Sequence, residues 1–290
     1  MLEDKIYETI VNLSVVQEKL AKYNGKPAVF FQRAAGDTDA GWDDPLMMFP
    51  RIVYNVFWKN NTNRKIAGEL RIHIHGSNET TLPEEIMPEI INEISGLFFT
   101  EESEVYGIVW SSRRDFQSAK RAVVPITGNS LIFDIVAFPK QMGSTPSPVW
   151  AVNQFIKQYI PESVVIGVDP LPERFLPSDQ KPTFYVSWKE GKNVYTTYAM
   201  AWQQSELDIH VFAQTTEKTL SVIQDLLYYL SIEREALMQN GSPVLFIKIN
   251  QNSRADPLFE GQIALKTQYG LLRKEKEEPK LNNVYSELEV

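Results

Sequence analysis

The chain has no cysteine. Disulfides, thiolate metal sites and a thiol nucleophile are therefore excluded, and the composition fits a reducing compartment. Glycine is sparse, 14 in 290 residues. No phosphate loop, dinucleotide fingerprint or Gly-x-Ser-x-Gly elbow occurs, so nucleotide cradles and serine-hydrolase geometry have no basis in the sequence. Positive charge is in deficit: the formal net charge is −8 and the isoelectric point is about 5.1. Gripping nucleic acid along its phosphates needs clustered Lys and Arg, which an acidic chain supplies poorly. A surface that DNA slides past without sticking remains compatible. No apolar run approaches the roughly 18 to 20 residues of a membrane span, and no signal peptide is read at the N-terminus.

What is present is an internal echo. Pro50-Arg-Ile-Val-Tyr-Asn-Val-Phe-Trp58-Lys59 and Pro182-Thr-Phe-Tyr-Val-Ser-Trp188-Lys189 share a proline, alternating apolar and aromatic residues, and a closing Trp-Lys. Tyr54, Val56 and Trp58 fall on one face of a strand, as do Phe184, Val186 and Trp188. Both strands run into Asn/Gly-containing turns, 60–63 and 190–193, and then to matching strands, Leu70 to His75 and Leu207 to Phe212.

The order of elements repeats as well. A helix over 2–21 with Leu2, Ile6, Ile10 and Leu13 on one face opens the first half. Ser147 as N-cap and Pro148 at the first helical position open its counterpart, which buries Val149, Val152, Ile156 and Tyr159 and stops at Pro161. Each helix leads to a short strand, Ala28 to Phe31 or Val164 to Ile166. A long Asp/Gly/Pro-rich loop follows, 32–49 or 167–181, of the kind that projects to grip a neighbour. After the hairpins come helices with stripes at Ile86, Ile90, Ile94 and Leu97, and at Leu220, Ile223, Leu227 and Leu230. Thr81 and Glu84 have the spacing of a capping box, while Pro88 delays or kinks the first of these helices. Two strands close each half: Tyr106 to Arg113 and Ser130 to Phe138, then Val244 to Asn250 and Gly261 to Thr267.

The expected fold class is α+β: two similar domains, each a mostly antiparallel sheet of about four to five strands packed with two helices. The divisions are residues 1–140, a linker at 141–147, residues 148–272, and a charged, flexible tail at 273–290.

Few residues suggest chemistry. His73 and His75 point the same way from one strand, but no carboxylate motif completes a metal site. His210 is the repeat counterpart of one of them. Asp37, Asp39, Gly41, Asp43 and Asp44 resemble a calcium loop without its closing glutamate or flanking helices. Glu84-Glu85, Glu101-Glu102 and Glu277-Glu278 are adjacent pairs, which do not face each other and make no acid/base dyad. Trp58, Trp110, Trp150, Trp188 and Trp202 read as core or interface anchors; only Arg113-Arg114 offers basic neighbours for base stacking at Trp110. No catalytic, cofactor-binding or metal-binding residue is assigned.

Two stretches carry a family resemblance: Ile166-Gly-Val-Asp-Pro-Leu-Pro-Glu-Arg-Phe-Leu-Pro177 into Lys181-Pro182-Thr-Phe-Tyr-Val186, and Phe30-Phe-Gln-Arg-Ala-Ala35 through Asp43-Asp44-Pro45 into Pro50-Arg-Ile-Val-Tyr54. In order of elements and loop character, each half resembles the phage tail terminator, or tail-completion and head-tail joining, family. Members of that family are usually single domains near half this length. The resemblance implies a non-enzymatic virion protein of the tail or neck, made in the host cytoplasm. It would form a ring that caps the head-proximal end of the tail tube, ends its polymerisation and presents a docking face to the head. The implied partners are copies of itself (six chains, or three with pseudo-six-fold symmetry), a tail tube protein, a head-tail connector or stopper protein, and a sheath or collar protein. DNA would pass through the lumen without specific binding, and no membrane or cofactor is involved. The alternatives are another tail component, tube or baseplate adaptor, or a cytosolic enzyme or binding protein with an interdomain cleft.

Overall fold

The computed structural model describes residues 1–59, 65–77, 82–102, 104–118, 126–141 and 145–273. The first half starts with α1 (Leu2–Val11) and α2 (Ser14–Lys19), followed by a small ribbon of β1 (Lys22–Tyr23) and β2 (Lys26–Pro27). Its main strands are β3 (Val29–Phe31), β4 (Arg51–Trp58) and β5 (Ile66–Ser77). After a 3-10 turn (Pro83–Glu85) come α3 (Met87–Ile94), β6 (Phe98–Glu101), β7 (Glu104–Ser118) and β8 (Ile126–Pro139). The second half runs α4 (Pro148–Tyr159), β9 (Val164–Val165), β10 (Arg174–Phe175), β11 (Thr183–Thr196), β12 (Met200–Phe212), α5 (Thr216–Glu233), β13 (Glu235–Leu237), β14 (Pro243–Gln251) and β15 (Ile263–Leu272).

The two main sheets have one connectivity. The first is ordered β6-β7-β8-β5-β4-β3 and the second β13-β14-β15-β12-β11-β9. In each, the short strand after the first helix pairs parallel with its neighbour, β3 with β4 and β9 with β11. Every other pairing within the two sets of six is antiparallel. One strand breaks the correspondence. β10, from the second half, adds antiparallel to β6 and makes the first sheet seven-stranded.

Each sheet carries helices on one face. In the first half Leu2, Ile6 and Ile10 of α1 and Ile90 and Ile94 of α3 pack on Tyr54, Leu70, Ile72, Phe133 and Ile135. In the second, Val149, Val152 and Ile156 of α4 and Val222, Ile223, Leu226 and Leu230 of α5 pack on Phe184, Val186, Leu207, Ile209 and Leu265. Each such side chain contributes about 1.5 to 3 kcal/mol on leaving water.

Several expectations change. Six strands per half replace four to five, because β6 and β13 are short strands with too few residues to show a period. The opening helix is broken: α1 ends at Val11, Asn12 caps it, and α2 starts at Ser14. Pro88 does delay its helix, sitting in the first turn of α3 behind the separate 3-10 turn. Thr81 lies outside the described residues. The buried stripe of α5 is rotated from the one expected, to Val222, Ile223, Leu226 and Leu230. Residues 190–193 are not a turn but part of β11, whose hairpin turns instead at Thr197–Ala199, where Thr197 N–H donates to Met200 O at 2.7 Å. The α4 cap is as expected: Ser147 Oγ accepts from Trp150 N–H at 3.3 Å, with Pro148 next.

Candidate assembly surfaces

Strands that bury both faces create the contact between halves. In β6, Phe99 faces the helices while Phe98 faces the other way; Ile135 and Val136 divide likewise in β8, as do Phe184 and Tyr185 in β11 and Val211 and Phe212 in β12. The outward set (Phe98, Val105, Val136, Phe138, Ile166, Tyr185 and Phe212) forms a third core where the sheets meet. Phe98 packs edge-on against Phe212, and Phe138 edge-on against Tyr185 and Phe212, with centroids 5.1 to 5.7 Å apart. Tyr185 Oη donates to Pro139 O and accepts from Gln141 Nε2, each at 2.9 Å. Burial pushes that phenol up to about 12.

The loop at 167–181 is an arm laid across this seam. Its root is pinned by Asp169, whose Oδ2 accepts from Val165 N–H at 2.7 Å and Lys157 Nζ at 3.1 Å. Leu171 then packs on the seam core. Thr100 donates its N–H to Glu173 O and its hydroxyl to Pro172 O, both at 3.0 Å. Arg174 reaches Thr9 Oγ1 at 3.2 Å, and the Phe175 ring stacks on Phe98 at 5.1 Å. The neighbour that this arm grips is the other half of its own chain.

Beside the seam lies a cleft of about 450 Å3, lined by Trp58, Tyr106 and Lys65 from one half and Trp188, His210 and Phe259 from the other. His210 bonds Pro257 O through Nδ1 at 2.6 Å, which places the proton on Nδ1, and burial holds it below the ordinary imidazole value. Tyr106 donates to Glu104, and its burial raises its pKa. These are satisfied packing groups.

The sequence candidates fall elsewhere. His73 and His75 lie on the sheet face opposite the helices, with ring centroids 6.4 Å apart. His73 Nδ1 is 2.7 Å from Ser130 Oγ, and the Phe116 ring meets His75 edge-on at 5.1 Å. Burial lowers both, His75 to about 4. Among the described residues no three His, Asp or Glu side chains converge as a metal site. The acidic loop spends its carboxylates locally: Asp37 pairs with Arg51 at 3.0 Å, Asp39 and Asp43 accept from Gly41 and Gly25 N–H, and Asp44 accepts from Leu46 N–H. Glu85 pairs with Lys19, Glu101 with Lys5, and Arg113 forks onto Asp115; Glu277 and Glu278 lie outside the described residues.

Trp58 and Trp188, the two echoes, both line the cleft and are half exposed. The tryptophan that is buried in full is Trp42, 4% exposed. It anchors the first-half loop: Nε1 donates to Gly36 O at 2.9 Å, and Tyr23 and Phe30 pack edge-on against the ring. Sequence reasoning passed over it because it sits in a polar loop without period; its aromatic character was the available signal.

Several apolar groups among the described residues are exposed. Leu46 is 94% exposed, and Met47 beside it is open. At the tip of the β11–β12 hairpin, Tyr195 stacks on Trp202 while Tyr198 is 91% exposed. Leu237, Leu245 and Ile247 face solvent on β13 and β14. Among the described residues no helix is long and apolar enough to cross a membrane. In comparisons with known proteins, no family model and no curated protein matches the chain.

Proposed function

We propose that this protein is a structural subunit of a phage tail, a tandem duplication of a tail-terminator-like domain that assembles as a ring. The ring caps the head-proximal end of the tail tube, stops its growth and offers a docking face to the head connector or stopper, with sheath or collar proteins on its outside. DNA passes through its lumen without sequence-specific contacts. The protein works by binding and not by catalysis.

The observation that supports this reading most is the arm of the second half adding a strand to the sheet edge of the first. Arm-to-edge joining between like domains is a heterologous contact, and heterologous contacts build rings when the rotation closes. The exposed Leu46, Tyr198 and Leu237 add apolar surface of the kind that subunit interfaces bury. The acidic charge suits a wall that lets DNA pass.

Light scattering after size exclusion should give six chains per particle, or three if both halves share one ring, and negative-stain images should show an annulus. A monodisperse single chain, or filaments in place of rings, would remove the capping role.

A further inference from the structure

The arm that binds within the chain has a topological twin, the first-half loop, whose middle bridges Tyr23 through Trp42 and whose Leu46 and Met47 stay exposed. Both loops contain the same tripeptide, Asp169-Pro170-Leu171 near the start of the second-half loop and Asp44-Pro45-Leu46 near the end of the first-half loop. Each lies between the parallel edge strand and the long strand that follows it, β3 and β4 or β9 and β11. Leu171 packs into the seam core, whereas Leu46 is 94% exposed. The tripeptide stands at different distances from its flanking strands, yet on topologically matching loops its leucine is packed in one half and exposed in the other.

The receiving edge has a twin too. β6 accepts β10, and its counterpart β13 has no outer neighbour among the described residues. The registers align the two. Phe98 is opposite Gly107, which is opposite Val136; Glu235 is opposite Leu245, which is opposite Gln268. Leu237 therefore stands where Thr100 stands, and it is the Thr100 N–H that donates to the arm at Glu173 O. On either side of β13, Phe246 N–H donates to Arg234 O and Met238 N–H donates to Ser242 O. Backbone groups alternate in direction along an antiparallel strand, so those of Glu235 and Leu237 point away from β14. A sheet edge with free donors and acceptors and apolar side chains beside it is a template for one more strand.

We infer that the segment around Leu46 and Met47 of one chain docks on the β13 edge of a second copy, repeating between chains the contact that residues 171–175 make within one. Leu46 then buries against Leu237 and Leu245. The contact is head to tail, so each copy offers one arm and one edge. This deepens the ring reading, and it rests on that reading only for the premise that copies associate.

The absence of cysteine makes the test clean. The full-length L46C and L237C variants, mixed and treated with a short bismaleimide, should give a covalent dimer that neither gives alone. L46C mixed with Y228C, on the exposed side of α5, should give none. The L46C/L237C double variant should give a ladder of covalent oligomers. L46D should weaken self-association about tenfold or more, since a carboxylate resists burial in an apolar contact, without unfolding a chain in which this side chain is in solvent.

Particles of unchanged mass in L46D, with no L46C–L237C product, would overturn the arm contact while leaving a ring built by other surfaces. A chain that is monomeric at every concentration would overturn both. A ladder that forms only after deletion of residues 274–290 would assign the edge to the chain's own tail and overturn the contact as well.

Discussion

His75 loses water to Phe116, whose ring lies over Gly128, where a Cβ would come within 2.2 Å of that ring and 2.6 Å of Ile74 O. The imidazole is pulled from its ordinary 6.5 to about 4, first by burial, then by Arg51 and His73. The fold therefore favours neutral imidazole, while the unfolded chain protonates it readily. Stability is intact above the ordinary value and falls as pH drops from about 6.5 towards 4, by on the order of 2 to 3 kcal/mol for this group. H75F should flatten that part of the curve, since Phe212 holds the equivalent position in the second half. Urea unfolding of both proteins at pH 7, 5.5 and 4.5 measures it; parallel curves would mean that burial at this site does not set the proton affinity.

At the scale of elements, the arm and the edge it joins form one unit. β10 is only two residues long, too short to hold itself in place. Its anchors are the Phe175–Phe98 stack, the Leu171 packing and the two hydrogen bonds from Thr100. F175A should cost roughly 3 to 5 kcal/mol if the site is as well packed as a core, and less to the extent that the arm detaches instead of collapsing. The discriminating measurement is hydrogen exchange. The Thr100 amide should lose protection in F175A, while amides of β7 and β8, which bond each other, keep theirs. Uniform loss across the first sheet would show that the arm is not a separable unit. The Trp42 loop is the contrasting case: it closes on its own aromatic cluster and presents Leu46 outward.

For the whole molecule, the seam couples the two halves. Each half has its own helix-covered core, and the third core belongs to neither. A single cooperative transition is expected as long as that core is intact. Y185A removes a buried ring and its bonds to Pro139 and Gln141. It should lower stability by about 3 kcal/mol or more and separate the calorimetric melt into two transitions. One sharp peak at lower temperature would mean that other seam contacts suffice to keep the halves together.

Residues 1–273 show how far pattern reading reaches. The helices α1, α3, α4 and α5 and the long strands were legible because a one-sided stripe or an alternation repeats over enough residues to be seen. The repeat was legible because Trp58 and Trp188 mark matched strands. β6, β10 and β13 were not, because two to four residues carry no period. The both-face burial of Leu97-Phe98-Phe99 and Phe184-Tyr185-Val186 was present in the sequence as unbroken apolar runs, which are read equally well as one-face strands with an aromatic on the outside.

The sequence by itself determined what each half is: local propensity and periodicity fix which residues turn their apolar side to a helix-covered sheet, and these depend on near neighbours in the chain. Only the tertiary structure decided that the second half's arm lies on the first half's edge, that Trp42 is buried while Trp58 and Trp188 line a cleft, and that His75 stays neutral. Those outcomes depend on contacts between residues far apart in the chain, such as Phe175 with Phe98 and Glu173 with Thr100. The energy of such contacts comes from excluding water between surfaces whose pairing no local pattern encodes.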